Sequence, residues 1–252
     1  VEKIAISIKE RLEPLQREMM KSEIIHSYKS NNELKTIFRE IKNKSIEDLA
    51  SILSNDEKNS VDNFLYQEIL ACVKELLIRA KNLEILNKNK NEDLINDWCV
   101  SLINHRLSWF GLTLCDQKRT GKAPSGIGVG ESDGLILDNR NVPISIFEAL
   151  NLSSLNNTTI DEHLNKISDY DLLGLSPVFI VSYCYFSNFT SKVKKYLLNL
   201  KSKQYDGFKS VNTDSHEIIG LITKPTLITA VESRFREDKQ IAIYHILIDL
   251  KI

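Results

Sequence analysis

The stretch GIGVGESDGLILDNRNVPISIFEAL, residues 126–150, decides how the rest of the chain is read. Its glycines break any helical period. DGLILD and VPISIFEAL then read as two strands, and DNRN between them (residues 138–141) has turn chemistry. A tight turn makes the two strands antiparallel neighbours. Asp133 falls on the first strand and Glu148 on the second, fifteen positions later. Two carboxylates that meet from adjoining strands make a site for a hard divalent cation, Mg2+ or Mn2+. Such an ion lowers the pKa of a bound water and stabilises charge building on a phosphate.

Working outward, LTLCDQ reads as a strand before the glycine-rich loop QKRTGKAPSGIGVG. A helix precedes it, beginning near Asn91 and ending at Gly111, with Leu94, Ile95, Trp98, Leu102 and Leu107 on one apolar face. After Glu148 the spacing predicts a helix over residues 158–172, capped by Thr158 or Thr159 with Glu162 in its first turn. PVFIVSYCYF is a continuous apolar run, as a strand buried on both faces requires. A second amphipathic helix follows over 189–203, with Val193, Tyr196, Leu197 and Leu200 inward. HEIIGLI, ITAVESRF and IAIYHILIDL are further strands.

The first ninety residues differ in kind. Apolar positions recur at three and four in Ile4, Ile8, Leu12, Leu15 and in Phe64, Leu65, Ile69, Val73, Leu76, Leu77. No proline falls between Pro14 and Pro124. SNDEKNSVDNF is a loop with a helix cap, and the Lys/Asn-rich residues 81–93 form a boundary. The expected organisation is a helical scaffold or partner-binding region over 1–88. A mixed α/β domain follows over 89–252, its central mixed sheet flanked by helices.

Composition bounds the rest. The chain has 252 residues, 42% hydrophobic and 27% charged, as expected of one or two soluble globular domains. No run of apolar residues is long enough for a membrane span. VEKIAISIKERLEP lacks an apolar signal core, so a cytoplasmic protein is expected. The chain begins with Val1, which points to a piece of a longer protein. Cys72, Cys99, Cys115 and Cys184 form no CxxC pair, so buried free thiols are expected and a structural zinc is not. The formal net charge of −1 neither supports nor excludes a nucleic-acid partner.

Glu148 sits between Phe147 and Ala149 in an apolar strand, where a carboxylate needs a partner, a metal or an exposed sheet end. Glu131 lies two residues before Asp133, on the same strand face, and could join it. Gln117, Lys118, Arg119 and Lys122 lie in or before the glycine loop, where they could contact a phosphate backbone. Lys192, Lys194, Lys195, Lys201 and Lys203 line one helix, as a solvated face or a nucleic-acid patch. The GxGxG of the loop is followed by a strand, so a nucleotide-binding loop is disfavoured. His216 and His245 stand in strands with no second ligand at metal spacing and read as structural.

GIGVGESDGLIL followed by ISIFEAL resembles the core of the PD-(D/E)XK (restriction-endonuclease-like) nucleases. The resemblance covers residues 91–185, with weaker support to residue 252. It implies metal-dependent hydrolysis of DNA phosphodiester bonds, with Asp133 and Glu148 as ion ligands and Glu131 beside them. Glu92, near the start of the preceding helix, matches a further acid of the family. The setting it implies is the effector of a bacterial restriction or anti-phage system. Further domains or a protein partner would attach through the helical region; oligomeric state stays open. One departure matters. Leu150 stands where the family has a lysine, so the third member of the motif is missing. Some members carry it from the following helix, and there Lys166 is the substitute, with His163 three residues away on the same face. The alternatives are an inactive nuclease-like fold that binds or senses, and a purely structural helical and α/β partner domain.

Overall fold

The computed structural model describes residues 36, 39–53, 61–82, 92–116, 133–171, 173–202, 218–224, 226–236 and 238–251. Its elements are α1 (Ile46–Leu53), α2 (Val61–Asn82), α3 (Glu92–Leu107), a 3-10 turn (Ser108–Phe110), β1 (Thr113–Asp116), β2 (Gly134–Leu137) and β3 (Pro143–Leu152). They continue with α4 (Asn157–Tyr170), β4 (Val178–Cys184), α5 (Phe189–Ser202), β5 (Ile218–Lys224), β6 (Leu227–Arg236) and β7 (Lys239–Asp249).

Seven strands form one mixed sheet in the order β1-β2-β3-β4-β7-β6-β5. The centre, β3-β4-β7, is parallel, and antiparallel pairs extend it on both sides. A central parallel strand is covered on both faces and must be apolar throughout. Every residue of β4, VFIVSYC, is buried accordingly. Alternation along β3 sorts the two layers. Phe147 and Ala149 join the core formed with α2 and α3, which also takes in Phe179, Val181 and Tyr183. Ile146, Leu150 and Leu152 pack the other way, against Ile160, Leu164 and Ile167 of α4 and Val193, Tyr196 and Leu200 of α5.

The helical first part is built into the same core. Phe64, Leu65, Ile69, Val73, Leu76 and Leu77 of α2 are all buried. Arg106 of α3 donates to Glu68 of α2, and Tyr66 bonds Thr229 of β6 through their hydroxyls at 2.9 Å. The 3-10 turn that continues α3 ends at Gly111, which at φ +74° takes the left-handed conformation that glycine adopts without strain. Leu94 departs from expectation and is 40% exposed. The buried stripe of α3 runs instead through Ile95, Cys99, Val100, Ile103 and Leu107, leaving Leu94 beside it at the first turn. All four cysteines are free thiols. Among the described residues no helix is long and apolar enough to cross a membrane.

The DNRN turn forms as read. Asp138 Oδ1 accepts the N–H groups of Arg140 and Val142, each at 2.8 Å. The cap of α4 is a correction. Neither Thr158 nor Thr159 caps it; Asn156 does, its side chain accepting the Thr158 N–H at 3.0 Å. Helix entry is set by the last extended residue, here Asn156 with φ −115° and ψ 105°. Asn156→Ala is therefore expected to lower stability by about 1 kcal/mol, while Thr158→Ala stays within about 0.5 kcal/mol of the native chain. Urea denaturation of both variants checks this.

Candidate active site

From Ile146 onward the even-numbered residues of β3 face α4, so Glu148 points into the layer beneath that helix, where it is 2% exposed. The strand runs two residues beyond Leu150, where the sequence reading ended it. β3 continues to Leu152, because Asn151 and Leu152 still pair with β4. Asp133 stands one residue before β2. Gly134 lies opposite Phe147 in the β2–β3 register, so one further step sets Asp133 against Glu148. The Asp133 carboxylate accepts the Ala149 N–H at 2.7 Å. It does what a strand carbonyl would do there, after β2 has ended. Gly134 lies close to β1: a Cβ on it would meet Leu114 Cδ1 at 2.7 Å, so a side chain there would displace the end of Leu114.

α4 brings the other two members. His163 Nδ1 lies 3.7 Å from Glu148 Oε2, too long for a hydrogen bond. Lys166, half-buried, is one turn further along, three residues from His163. Burial pushes the Glu148 carboxyl up to about 7; the Asp133 charge adds to the rise, while contact with His163 and the charge of Lys166 pull the other way. Asp133, Glu148, His163 and Lys166 thus form one electrostatic cluster. Neither Glu148 Oε1 nor His163 Nδ1, both buried, has a hydrogen-bond partner among the described residues.

Other expected members fall elsewhere. Glu92 is the first residue of α3, and its side chain lies outside the described residues. Glu131, Lys118, Arg119 and Lys122, with the whole glycine-rich loop and His216, also lie outside them. Leu150 faces the same layer as Glu148 and is fully buried in its apolar core. Among the described residues no three His, Cys, Asp or Glu side chains already stand together as a cage for an ion.

One neighbour was not legible as a site residue. Tyr183 of β4, read only as part of an apolar run, donates its hydroxyl to Asn96 Oδ1 of α3 at 3.4 Å. Burial, with Cys99 and the Asp133 charge nearby, holds its phenol well above the ordinary range. Asp133 therefore acts on both layers from the end of β2. Alternation along β4 was the one available signal, and it marks burial, not chemistry.

His245 is buried, and both of its ring nitrogens have partners. It sits in the same cross-sheet row as Glu148 with Ile180 of β4 between them, about 9.5 Å away at normal strand spacing. Its Nδ1 bonds the Tyr196 hydroxyl at 2.8 Å and its Nε2 meets Glu232 Oε2 at 3.0 Å. Arg234 Nε donates to the other Glu232 oxygen.

No family model, curated protein or solved structure matches this chain.

What the cluster can do follows from its parts. Glu148 Oε1 is a buried carboxylate oxygen without a donor among the described residues, and Asp133 sets a second carboxylate across the ladder from it. That donor set fits a divalent cation held by oxygen ligands. The half-buried lysine on α4 adds a positive group on the same side of the sheet.

Proposed function

We propose that this chain is a metal-dependent nuclease of the PD-(D/E)XK type that hydrolyses DNA phosphodiester bonds, as the effector of a restriction or anti-phage system. The observation that carries the reading is Glu148: a carboxylate buried in an apolar strand, with one oxygen unpartnered among the described residues, across from Asp133 and under Lys166. A buried carboxylate with no partner is costly and is kept where a ligand completes it. The order α3-β1-β2-β3-α4-β4, with β3 and β4 parallel, supports the fold half of the reading, being the order on which the resemblance rests.

In this reading Asp133 and Glu148 hold the ion, and Glu131 and Glu92 are proposed beside them. The ion, when bound, supplies an activated water and neutralises charge on the phosphate. Asp133 is oriented by the Ala149 N–H, which leaves its carboxylate little freedom to swing away. Lys166 replaces the lysine that Leu150 displaces, and its ammonium stabilises charge developing on the phosphate. Lys118, Arg119 and Lys122 would hold the DNA backbone.

Plasmid DNA incubated with the purified chain and Mg2+ or Mn2+ tests this. Cleavage is expected, reduced about 1,000-fold or more in Asp133→Asn and Glu148→Gln, and about 100-fold in Lys166→Ala. Leu150 favours a second reading, an inactive nuclease-like module that binds nucleic acid or protein, because packing has taken over the motif position. That reading gains if the native chain retains DNA and does not cut it with either ion.

A further inference from the structure

The arrangement of His163 and Glu148 goes beyond two carboxylates and a lysine. Nδ1 of His163 and Oε2 of Glu148 face each other at 3.7 Å. At that separation they do not bond one another. Glu148 is 2% exposed, its Oε1 lacks a partner, and so does the buried Nδ1 of His163, among the described residues. Two buried polar atoms left in this state cost stability unless a third group joins them. Ligands about 2.1 Å from a small divalent ion can lie up to roughly 4.2 Å apart, so one ion spans the gap between Nδ1 and Oε2, with Oε1 the second oxygen of the same carboxylate. The helix that carries His163 is anchored on the sheet by Ile160, Leu164 and Ile167, which fixes where its backbone stands relative to Glu148.

We propose that His163 is a metal ligand, clamping one ion together with Glu148, so that the site takes a first-row transition ion such as Mn2+ in preference to Mg2+. This rests on the metal-dependent reading above and specifies its cofactor. Imidazole nitrogen is a borderline donor, which transition ions accept and hard Mg2+ exchanges for water. Carboxylates alone do not discriminate in this way. The position of His163 thus makes nitrogen coordination the mark of this site.

The test uses the full chain and the ions alone, without DNA. Mn2+ bound to the native protein is expected to show imidazole nitrogen coupling in pulsed EPR. Growth on 15N-histidine should change the coupling pattern without any substitution. His163→Gln is expected to remove the coupling and weaken Mn2+ binding at least tenfold by calorimetry, with Mg2+ affinity changed less than twofold. A native far-ultraviolet spectrum and melting transition check that the variant folds. Mn2+ binding without nitrogen coupling, or coupling that persists in His163→Gln, overturns the proposal and leaves the metal-dependent reading intact; a bridging water alone then fills the gap. Absence of binding by either ion to the native chain overturns both.

Discussion

Glu148→Gln is expected to make the metal-free protein more stable at neutral pH while abolishing cleavage. Burial raises the Glu148 pKa from its ordinary 4.5 to about 7. Below pH 4.5 the group is protonated in both the folded and the unfolded chain, and its charge costs nothing. Between 4.5 and about 7 the unfolded chain gives up the proton and the folded chain keeps it. The folded state then binds more protons, so stability falls as pH rises. Above about 7 the whole penalty is present, about 3 kcal/mol at roughly 1.4 kcal/mol per pH unit. Glutamine carries no charge and escapes it. The variant should therefore match the native chain near pH 4.5 and exceed it by up to about 3 kcal/mol near pH 8. Urea titrations at the two pH values measure this. A difference that does not grow with pH would show that the buried charge is not the cause. Added Mn2+ should close the gap from the native side only, because the ion stabilises a state that the glutamine cannot form.

Arg234→Met is expected to lose about 3–5 kcal/mol of stability. Arg234 and Glu232 are 2% and 0% exposed, and Arg234 Nη2 also reaches the Leu200 carbonyl of α5 at 3.4 Å. Removing the guanidinium takes the positive partner from a carboxylate that His245 Nε2 also meets at 3.0 Å, in a layer built from Tyr196, Leu200, Ile243 and Leu247. The cost comes from the charge left behind and not from the contact itself. Arg234→Met combined with Glu232→Leu should accordingly recover more than half of the loss, although His245 Nε2 then gives up its Glu232 partner. Additive losses in the pair, read from denaturation midpoints, would rule this account out.

Local pattern carried much of the architecture. β4 was recognisable because a strand covered on both sides has no polar face to show, and VFIVSYC has none except Ser182. The DNRN turn was recognisable because Asp138 organises it through its own neighbours. Asn156 was missed as a cap because asparagine, serine and threonine all serve, and only the extended backbone at residue 156 chooses among them. Leu94 was misplaced because a helix's apolar stripe is broader than the surface that covers it.

The candidate site divides in the same way. Asp133 and Glu148 were legible as acids on adjoining strands because the turn between them is local, whereas their facing register also depends on the shift between Ile136 and Leu137. What they face was not. The burial of Glu148, the approach of His163 to 3.7 Å and the reach of Lys166 depend on how α4 lies across β3. The Tyr196–His245–Glu232–Arg234 network likewise joins residues from α5, β6 and β7. The amino-acid sequence by itself determined the turn, most of the elements and the placing of two acids on adjoining strands, since these rest on contacts between near neighbours. Only the tertiary structure decided which polar atoms share a buried space and which lack a partner there, because that is set by side chains brought together from distant parts of the chain and by the solvent they exclude.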